Sequence, residues 1–175
     1  PSLDVAPGTR VFVPLAGKSV DMPWLAAKGY RVFGVELSPL AVEQFFEELD
    51  PRFRGDDGIV VTHTPKGVLA EAGPIALLCG DVFALDAQDL VACTSFFDRA
   101  AVIALPPGLR ERYAREVYAR LPSGCVGLGR RCVGLERRRV GDPSASVPAC
   151  RNRLPTLALL PGPSLALPAR SHAGG

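Results

Sequence analysis

The chain has 175 residues, 47% of them hydrophobic, and a formal net charge of +2. This length and apolar content suit one domain with a single core, and the small charge gives no reason to expect a nucleic-acid partner. The N-terminus has no basic segment followed by an apolar stretch, and prolines interrupt the apolar residues 154–169, so we predict neither a signal peptide nor a membrane span.

Composition changes abruptly near residue 125. Residues 1–125 hold 12 basic and 16 acidic side chains, whereas residues 126–175 hold 8 and 2, and every aromatic residue lies at or before Tyr118. We therefore expect a folded domain over residues 1–128 and an irregular or disordered tail over residues 129–175.

The five cysteines form an odd set without a Cys-x-x-Cys pair, and only two histidines accompany them. This pattern favours neither a zinc site nor a disulfide framework. It is typical of reduced thiols in a cytoplasmic protein, and we expect that location and no bound metal.

The first unit of the chain, Arg10–Phe46, has the pattern strand, helix, strand, helix. The apolar run Arg10–Leu15 predicts a buried parallel strand that ends at its proline, and the glycine-bearing loop 16–19 leads into a helix that ends at a glycine. A second strand, Tyr30–Val35, precedes the acid Glu36. Doubly wound α/β folds hold a nucleotide with such a strand, a glycine turn and an acid about 20 residues further on.

Helix caps and apolar spacing define the two helices of this unit. Ser19 or Asp21 is expected to cap the first helix, and Ser38 the second. In the second helix, large apolar side chains recur at helical spacing and predict a buried face formed by Val42, Phe45, Phe46 and Leu49. The charged, glycine-rich residues 50–58 that follow predict a surface loop.

Three further apolar runs predict strands: Ile59–His63, Ile75–Cys79 and Thr94–Asp98. We expect the first two to form an antiparallel excursion that returns to the sheet. Asp81 lies just beyond the second run, and ligands collect at the carboxyl ends of strands in open α/β sheets.

A helix introduced by Pro106 and Pro107 is the last strongly periodic element. Its apolar face is predicted to consist of Leu109, Tyr113, Val117 and Leu121. A fifth strand is expected to begin over residues 125–128, after which apolar periodicity disappears.

Familiar catalytic motifs are absent from the sequence. The loop LAGKS has one glycine where a dinucleotide-binding fold usually has three, and it lacks the first glycine and spacer of a P-loop. There is no Gly-x-Ser-x-Gly motif, and the two histidines, His63 and His172, give no support for a Ser-His-Asp or Cys-His site.

Three segments carry a resemblance to a known family: VFVPLAGKSVDMPWLAAKGYRVFGVELSPLAVEQFFEE, CGDVFAL at residues 79–85 and FFDRAAVIALPPGLRERYA at residues 96–114. They look like the thiopurine S-methyltransferases, particularly the bacterial members, from Thr9 to about Gly127. The resemblance implies a Rossmann-like class I methyltransferase α/β sheet of seven strands, incomplete here at both ends. It also implies S-adenosylmethionine as cofactor, and methylation of the sulfur of thiopurine-like aromatic or heterocyclic thiols.

The same resemblance implies a set of cofactor-binding residues at the carboxyl ends of the strands: Leu15, Gly17, Glu36, Asp81, Val82 and Arg99. Glu36 would bind the ribose, and Asp81 with Val82 would lie near the adenine. Arg99 would face the active centre. We assign it, as a hypothesis, the catalytic role of stabilising the substrate thiolate, because a nearby cation lowers the pKa of an acid.

Two departures from the family pattern lead to further expectations. A helical, tryptophan-bearing N-terminal segment has no counterpart here and the first residue is a proline, so we expect an N-terminal fragment or a processed product. Residues 129–175 lack aromatic residues and isoleucine, so we expect a frameshift or a mis-joined gene model near codons 125–130. Translating the other two frames tests this, and a sequence like Gly-Pro-Pro-Phe is expected there.

The leading interpretation is therefore an S-adenosylmethionine-dependent methyltransferase that acts on a small-molecule thiol, as a cytoplasmic monomer with no nucleic-acid or membrane partner. One alternative is a non-catalytic truncated remnant that at most binds a nucleoside ligand. Another is a nicotinamide-dependent oxidoreductase, which shares the use of Glu36 but lacks the glycine pattern.

Overall fold

The computed structural model describes residues 5–99, 101, 105–131 and 134–139. Within these residues, eight strands form one mixed sheet. The strands are β1 Arg10–Val13, β2 Arg31–Glu36, β3 Val60–Thr64, β4 Gly67–Ala72, β5 Ile75–Cys79, β6 Cys93–Asp98, β7 Val126–Arg131 and β8 Gly134–Arg139. The α-helices among them are α1 Asp21–Ala27, α2 Pro39–Glu48, α3 Ala87–Leu90 and α4 Pro107–Glu116.

The sheet has the strand order β3-β4-β5-β2-β1-β6-β7-β8. The five strands from β5 to β7 in this order run parallel, while β3, β4 and β8 pair antiparallel with their neighbours. The chain moves outward from β1 through β2 to β5 and then returns to place β6 on the other side of β1. Strand order therefore reverses between β1 and β6, and ligands of open α/β sheets bind beside such a switch point.

Side chains of the central strands alternate between two cores, one on each face of the sheet. In β1, Val11 and Val13 pack with α1 and α2 on one face, whereas Phe12 packs with α3 and α4 on the other. Helices cover both faces, which explains why the strands are apolar throughout rather than alternating with polar residues. The predicted buried face of α2 is confirmed, since these residues belong to the first core: Val42, Phe45, Phe46 and Leu49.

The predicted helix caps are confirmed for α2 but not for α1. The Ser38 hydroxyl accepts a hydrogen bond of 3.3 Å from Ala41 N at the start of α2. The N-cap of α1 is Val20, which has no side-chain cap, and the Ser19 hydroxyl instead accepts from Asp21 N at 3.0 Å. Ser19 thus satisfies one of the free amide groups of the first turn from one residue further out.

The predicted excursion between residues 59 and 79 contains one more strand than the sequence suggested. β4 lies between β3 and β5 and pairs antiparallel with both. Its first residue, Gly67, and the residue after its end, Gly73, are turn signals in the sequence, and alanines interrupt its apolar alternation. The strand is recognisable only from its partners on both sides.

The apolar face of α4 begins one turn later than predicted. Tyr113, Val117 and Leu121 are buried, whereas Leu109 is 40% exposed. The helix packs against the sheet from its second turn onward, and its regular part ends at Glu116 before a short 3-10 turn, Tyr118–Arg120.

Strand pairing continues beyond residue 128, the point after which the sequence predicted an irregular tail. The predicted fifth strand is present as β7, which pairs with β6, and β8 pairs with β7. Backbone hydrogen bonds to a neighbouring strand supply the regularity that apolar alternation does not show here. The remainder of the predicted tail, residues 132–133 and 140–175, lies outside the described residues.

Candidate functional site

Glu36 connects three loops at the carboxyl edge of the sheet. Its Oε2 accepts a hydrogen bond of 2.8 Å from Gly17 N in the loop after β1, and its Oε1 accepts one of 2.8 Å from Ser38 N at the start of α2. Its backbone carbonyl accepts from Gly80 N at 2.9 Å, just after β5. The carboxylate is therefore held in one orientation by backbone amides rather than by side chains.

The loop after β1 reaches Glu36 through two left-handed residues. Gly17 has φ +55°, which glycine adopts without strain. Leu15 has φ +45°, a conformation that costs a non-glycine residue about 1–3 kcal/mol. Backbone strain of this kind is concentrated at functional sites, and Leu15 is also one of the residues that the family resemblance places against the cofactor.

A cavity of about 290 Å³ opens beside this loop, between the ends of β1 and β6. It is located at the switch point of the sheet, where the strand order predicts a ligand site. Its lining combines residues of the loop after β1 with residues from the end of β6, and it consists of Val13, Pro14, Leu15, Ala16, Lys18, Ser19, Val20, Asp21, Phe97 and Arg99.

Asp21 and Arg99 form an ion pair in the wall of this cavity. Arg99 Nε lies 3.0 Å from Asp21 Oδ2, and the side chains are 49% and 15% exposed. The Ser19 hydroxyl donates to the same carboxylate oxygen at 2.8 Å. The structure therefore places Arg99 in the wall of this cavity, and it adds Asp21, which the sequence suggested only as a helix cap. The only sequence signal for a site role of Asp21 was its position a few residues after the glycine of the loop.

Asp81 and Val82 lie at the same edge but present different groups. The exposed Asp81 carboxylate caps a 3-10 turn by accepting from Phe83 N at 2.8 Å. The Val82 side chain is only 3% exposed and belongs to the second core. A ligand at this edge would contact the backbone of Val82 rather than its side chain.

Asp98, the residue before Arg99, points into the protein. It is 1% exposed, and its carboxylate accepts hydrogen bonds from Tyr113 Oη at 2.9 Å and Tyr118 Oη at 2.6 Å. Burial, and then the negative charge of Asp98, raise the pKa of Tyr113 well above its ordinary value. Tyr113 therefore stays protonated as a donor to Asp98.

The thiols of the described residues are poor nucleophiles. Burial raises the pKa of Cys93 to about 11 and that of Cys125 to about 12. Burial, followed by the charge of Glu36, also raises the pKa of Cys79. Since the thiolate is the reactive form, these three side chains do not suit covalent catalysis at neutral pH.

The described part of the chain has neither a metal-binding cluster nor a membrane-spanning helix. No group of three or more His, Cys, Asp or Glu side chains there is placed to hold a metal ion. In the same residues, no helix combines the length and the apolar character that crossing a bilayer requires.

Comparison with known proteins identifies relatives of this chain. The profile of the family described as thiopurine S-methyltransferase (TPMT) matches residues 1–133. The thiopurine S-methyltransferase of Bordetella pertussis is 55% identical over 128 residues, which cover 73% of this chain and 56% of that protein. The one of Xanthomonas campestris pv. campestris is 52% identical over 131 residues with the same coverage. The chain thus spans 56% of the length of these curated relatives.

Solved structures with a similar fold are distant in sequence. An S-adenosylmethionine-dependent methyltransferase from Methanosarcina mazei has a TM-score of 0.51 at 17% identity, covering 71% of this chain and 52% of that one. The [4+2]-cyclase SpnF has a TM-score of 0.50 at 15% identity, covering 71% and 39%. These likenesses show the fold alone. The sequence profile and the fold agree, and the chain belongs to the thiopurine S-methyltransferase family, with the Rossmann-like α/β sheet of methyltransferases that its sequence predicted.

Proposed function

We propose that the carboxyl edge of the sheet binds S-adenosylmethionine and that the protein methylates the sulfur of a small aromatic or heterocyclic thiol of the thiopurine type. The observation that carries the proposal is the fixed carboxylate of Glu36, which is hydrogen-bonded to the loop that lines the cavity at the switch point. Family membership supports the reaction class. Bound there, S-adenosylmethionine would supply an activated methyl group on a sulfonium.

The residues at the edge fit the parts of this cofactor. A carboxylate has about four lone-pair sites, and the two backbone amides on Glu36 leave capacity for ribose hydroxyls. Asp21 and Arg99 offer one charge of each sign, which suits a zwitterionic amino-acid group. The cavity of about 290 Å³ lies just below the usual range for ligand pockets, roughly 300–1,000 Å³, so the rest of the ligand would extend along the open edge toward Asp81.

Arg99 is the candidate for the substrate side. Its ion pair with Asp21 uses Nε, and the two Nη groups carry its remaining donors. A guanidinium beside the substrate sulfur would lower the pKa of the thiol and raise the fraction of thiolate. Direct displacement by a thiolate needs alignment and a partly dry site rather than a protein nucleophile, which agrees with the raised pKa values of Cys93 and Cys125.

The comparisons give no support to the two alternatives, a nicotinamide-dependent oxidoreductase and a non-catalytic remnant that at most binds a nucleoside. The loop after β1 has one glycine, whereas a dinucleotide-binding fold usually has three. The chain also belongs to a family of methyltransferases. A cytoplasmic monomer without a nucleic-acid partner stays a prediction from the sequence.

Calorimetric titration of the 175-residue chain with S-adenosylhomocysteine tests the cofactor part of the proposal. We expect saturable binding at one site, and loss of that binding in Glu36→Ala. The matched control is Glu47→Ala, which removes an exposed glutamate from α2. The absence of saturable heat, or NADH binding with equal affinity, would overturn the proposal. Transfer of labelled methyl groups to a thiopurine then tests the reaction.

A further inference from the structure

The buried carboxylate of Asp98 lies at the carboxyl end of β6, directly before Arg99. A carboxylate inside a protein is costly unless several donors satisfy it. Here Ala101 N donates to Oδ1 at 2.9 Å, and two tyrosine hydroxyls, from Tyr113 and Tyr118, donate to Oδ2. Asp98, the last residue of β6, is directed inward, while Arg99, just beyond the strand, lines the cavity.

The two tyrosines belong to α4 and to the 3-10 turn that follows it. Their rings contact each other with centroids 5.2 Å apart, and the Tyr118 ring packs on Phe96 of β6 at the same centroid distance of 5.2 Å. Tyr113 is completely buried and Tyr118 half-buried. The end of β6 is thus attached to α4 by hydroxyl groups on rings that are themselves held by packing.

The same helix also holds the loop that carries Asp81. The ring of Phe83 contacts Tyr113 edge to face, with centroids 6.4 Å apart. The Arg112 guanidinium lies 4.2 Å from the centroid of Phe83, and Arg120 Nη1 donates to the Phe83 carbonyl at 2.9 Å. α4 and the 3-10 turn that follows it therefore contact both sides of the edge, the side of Asp81 and the side of Arg99.

We propose that Tyr113 and Tyr118 are positioning residues, which act through Asp98 to fix the backbone that carries Arg99 relative to the Asp81 loop. The inference rests on the proposed function, because it takes these two places as the ends of one ligand site. Neither tyrosine reaches the cavity, so their effect is transmitted through a shared backbone segment. Loss of either hydroxyl leaves Asp98 less well satisfied and Arg99 less well placed.

The decisive variants are Tyr118→Phe and Tyr113→Phe, which keep the rings and remove only the hydroxyls. Tyr30→Phe is the matched control, since Tyr30 is half-buried against the other core. Two probes separate the ends of the site: S-adenosylhomocysteine carries the amino-acid group, and adenosine lacks it. We expect Tyr113→Phe and Tyr118→Phe to lower the affinity for S-adenosylhomocysteine by about tenfold, which is the effect of one hydrogen bond to a charged group. Their affinity for adenosine should be nearly unchanged, and Tyr30→Phe should leave the affinity for both probes nearly unchanged.

An equal loss for both probes would show general loosening of the fold and overturn the proposal, as would no loss for either. Tyr118→Phe decides the question if Tyr113→Phe fails to fold, because Tyr118 is only half-buried.

A measurement without ligand keeps the inference separate from the proposed function. The ¹H–¹⁵N resonance of Arg99 Nε, assigned by its loss in Arg99→Lys, reports the placement of the guanidinium. We expect it to shift in Tyr113→Phe and Tyr118→Phe and to stay in place in Tyr30→Phe. If the unmodified chain binds neither probe, the proposed function fails, and this resonance alone decides whether the tyrosines position Arg99.

Discussion

The Glu36 carboxylate accepts a hydrogen bond of 2.8 Å from the backbone N–H of Gly17. Ser38 N occupies the other oxygen at the same distance. Glu36→Gln is therefore expected to be nearly as damaging as Glu36→Ala, because the amide NH₂ would face a backbone donor. An unsatisfied amide costs about 1–3 kcal/mol. Urea denaturation is expected to show this loss, and titration a fall of more than about tenfold in S-adenosylhomocysteine affinity.

Glu47→Gln, on the exposed side of α2, is the control for this substitution and should leave both quantities unchanged. If Glu36→Gln kept the affinity within about twofold, the hydrogen bonds to Gly17 and Ser38 would not be what orients the site.

The Arg99 hypothesis predicts a shift in the pH dependence of methyl transfer. In Arg99→Ala the bound substrate thiol loses a neighbouring cation, so its pKa in the enzyme–substrate complex rises, and the acid limb of the pH profile of kcat should move up by about one pH unit. Asp21→Asn removes the negative charge 3.0 Å from Arg99 Nε. The positive charge of Arg99 is then uncompensated, so the acid limb should move to lower pH. Arg31→Ala, at the start of β2 on the opposite edge, serves as the control. Identical profiles for all variants would contradict the role given to Arg99.

Stability should decline at alkaline pH because of the buried thiols. Burial raises the pKa of Cys93 from 9.0 to about 11, so the folded state keeps a proton that the unfolded state releases. The protonated Cys93 thiol therefore contributes on the order of 2 kcal/mol to the free energy of unfolding. This contribution is complete below pH 9 and is lost as the pH rises toward 11. Urea denaturation at pH 7 to 10.5 measures the decline, and Cys93→Ala should flatten it.

Val35→Ala is the control for Cys93→Ala, because Val35 lies in the same core and has no titratable group. It should lower stability equally at every pH. A decline of unchanged slope in Cys93→Ala would show that other groups, such as Tyr113 with its raised pKa, dominate the alkaline behaviour.

The pairing of β6 with β7 requires a glycine at position 127. Gly127 is opposite Phe96, and a Cβ there would lie 2.4 Å from the Phe96 ring. Gly127→Ala is expected to destabilise the protein by about 1–3 kcal/mol through overpacking. Gly108, in the first turn of α4, has nothing within 4 Å of a built Cβ. Gly108→Ala should therefore stabilise by about 0.5–1 kcal/mol. Urea midpoints of the two variants measure the contrast, and a neutral Gly127→Ala would contradict the close contact.

Local patterns in the sequence predicted the elements whose signals are local. The proline that follows β1, the Ser38 cap and the apolar spacing of α2 each lie within the element that they define or directly next to it. β4 was not predicted, because its regularity comes from partners on both sides. The continuation of β7 and the addition of β8 beyond residue 128 depend on the same kind of non-local pairing.

The candidate site was predictable in its positions but not in its contacts. Motif resemblance placed Glu36, Asp81 and Arg99 at the carboxyl edge, and the structure has all three there. The ion pair of Arg99 with Asp21 joins residues far apart in sequence, and the inward orientation of Val82 depends on packing in the second core. Neither follows from spacing along the chain.

The backbone contacts of Glu36 join three loops at the edge of the sheet where we propose that the ligand binds. Three loops converge on one residue, through Gly17, Ser38 and Gly80, so an opening of any one of them disturbs the others. A ligand that binds only the folded protein raises the free energy of unfolding by RT ln(1 + [L]/Kd). Thermal melting of the unlabelled protein can then rank candidate nucleosides and thiols by the shift each one causes, without any assay of turnover.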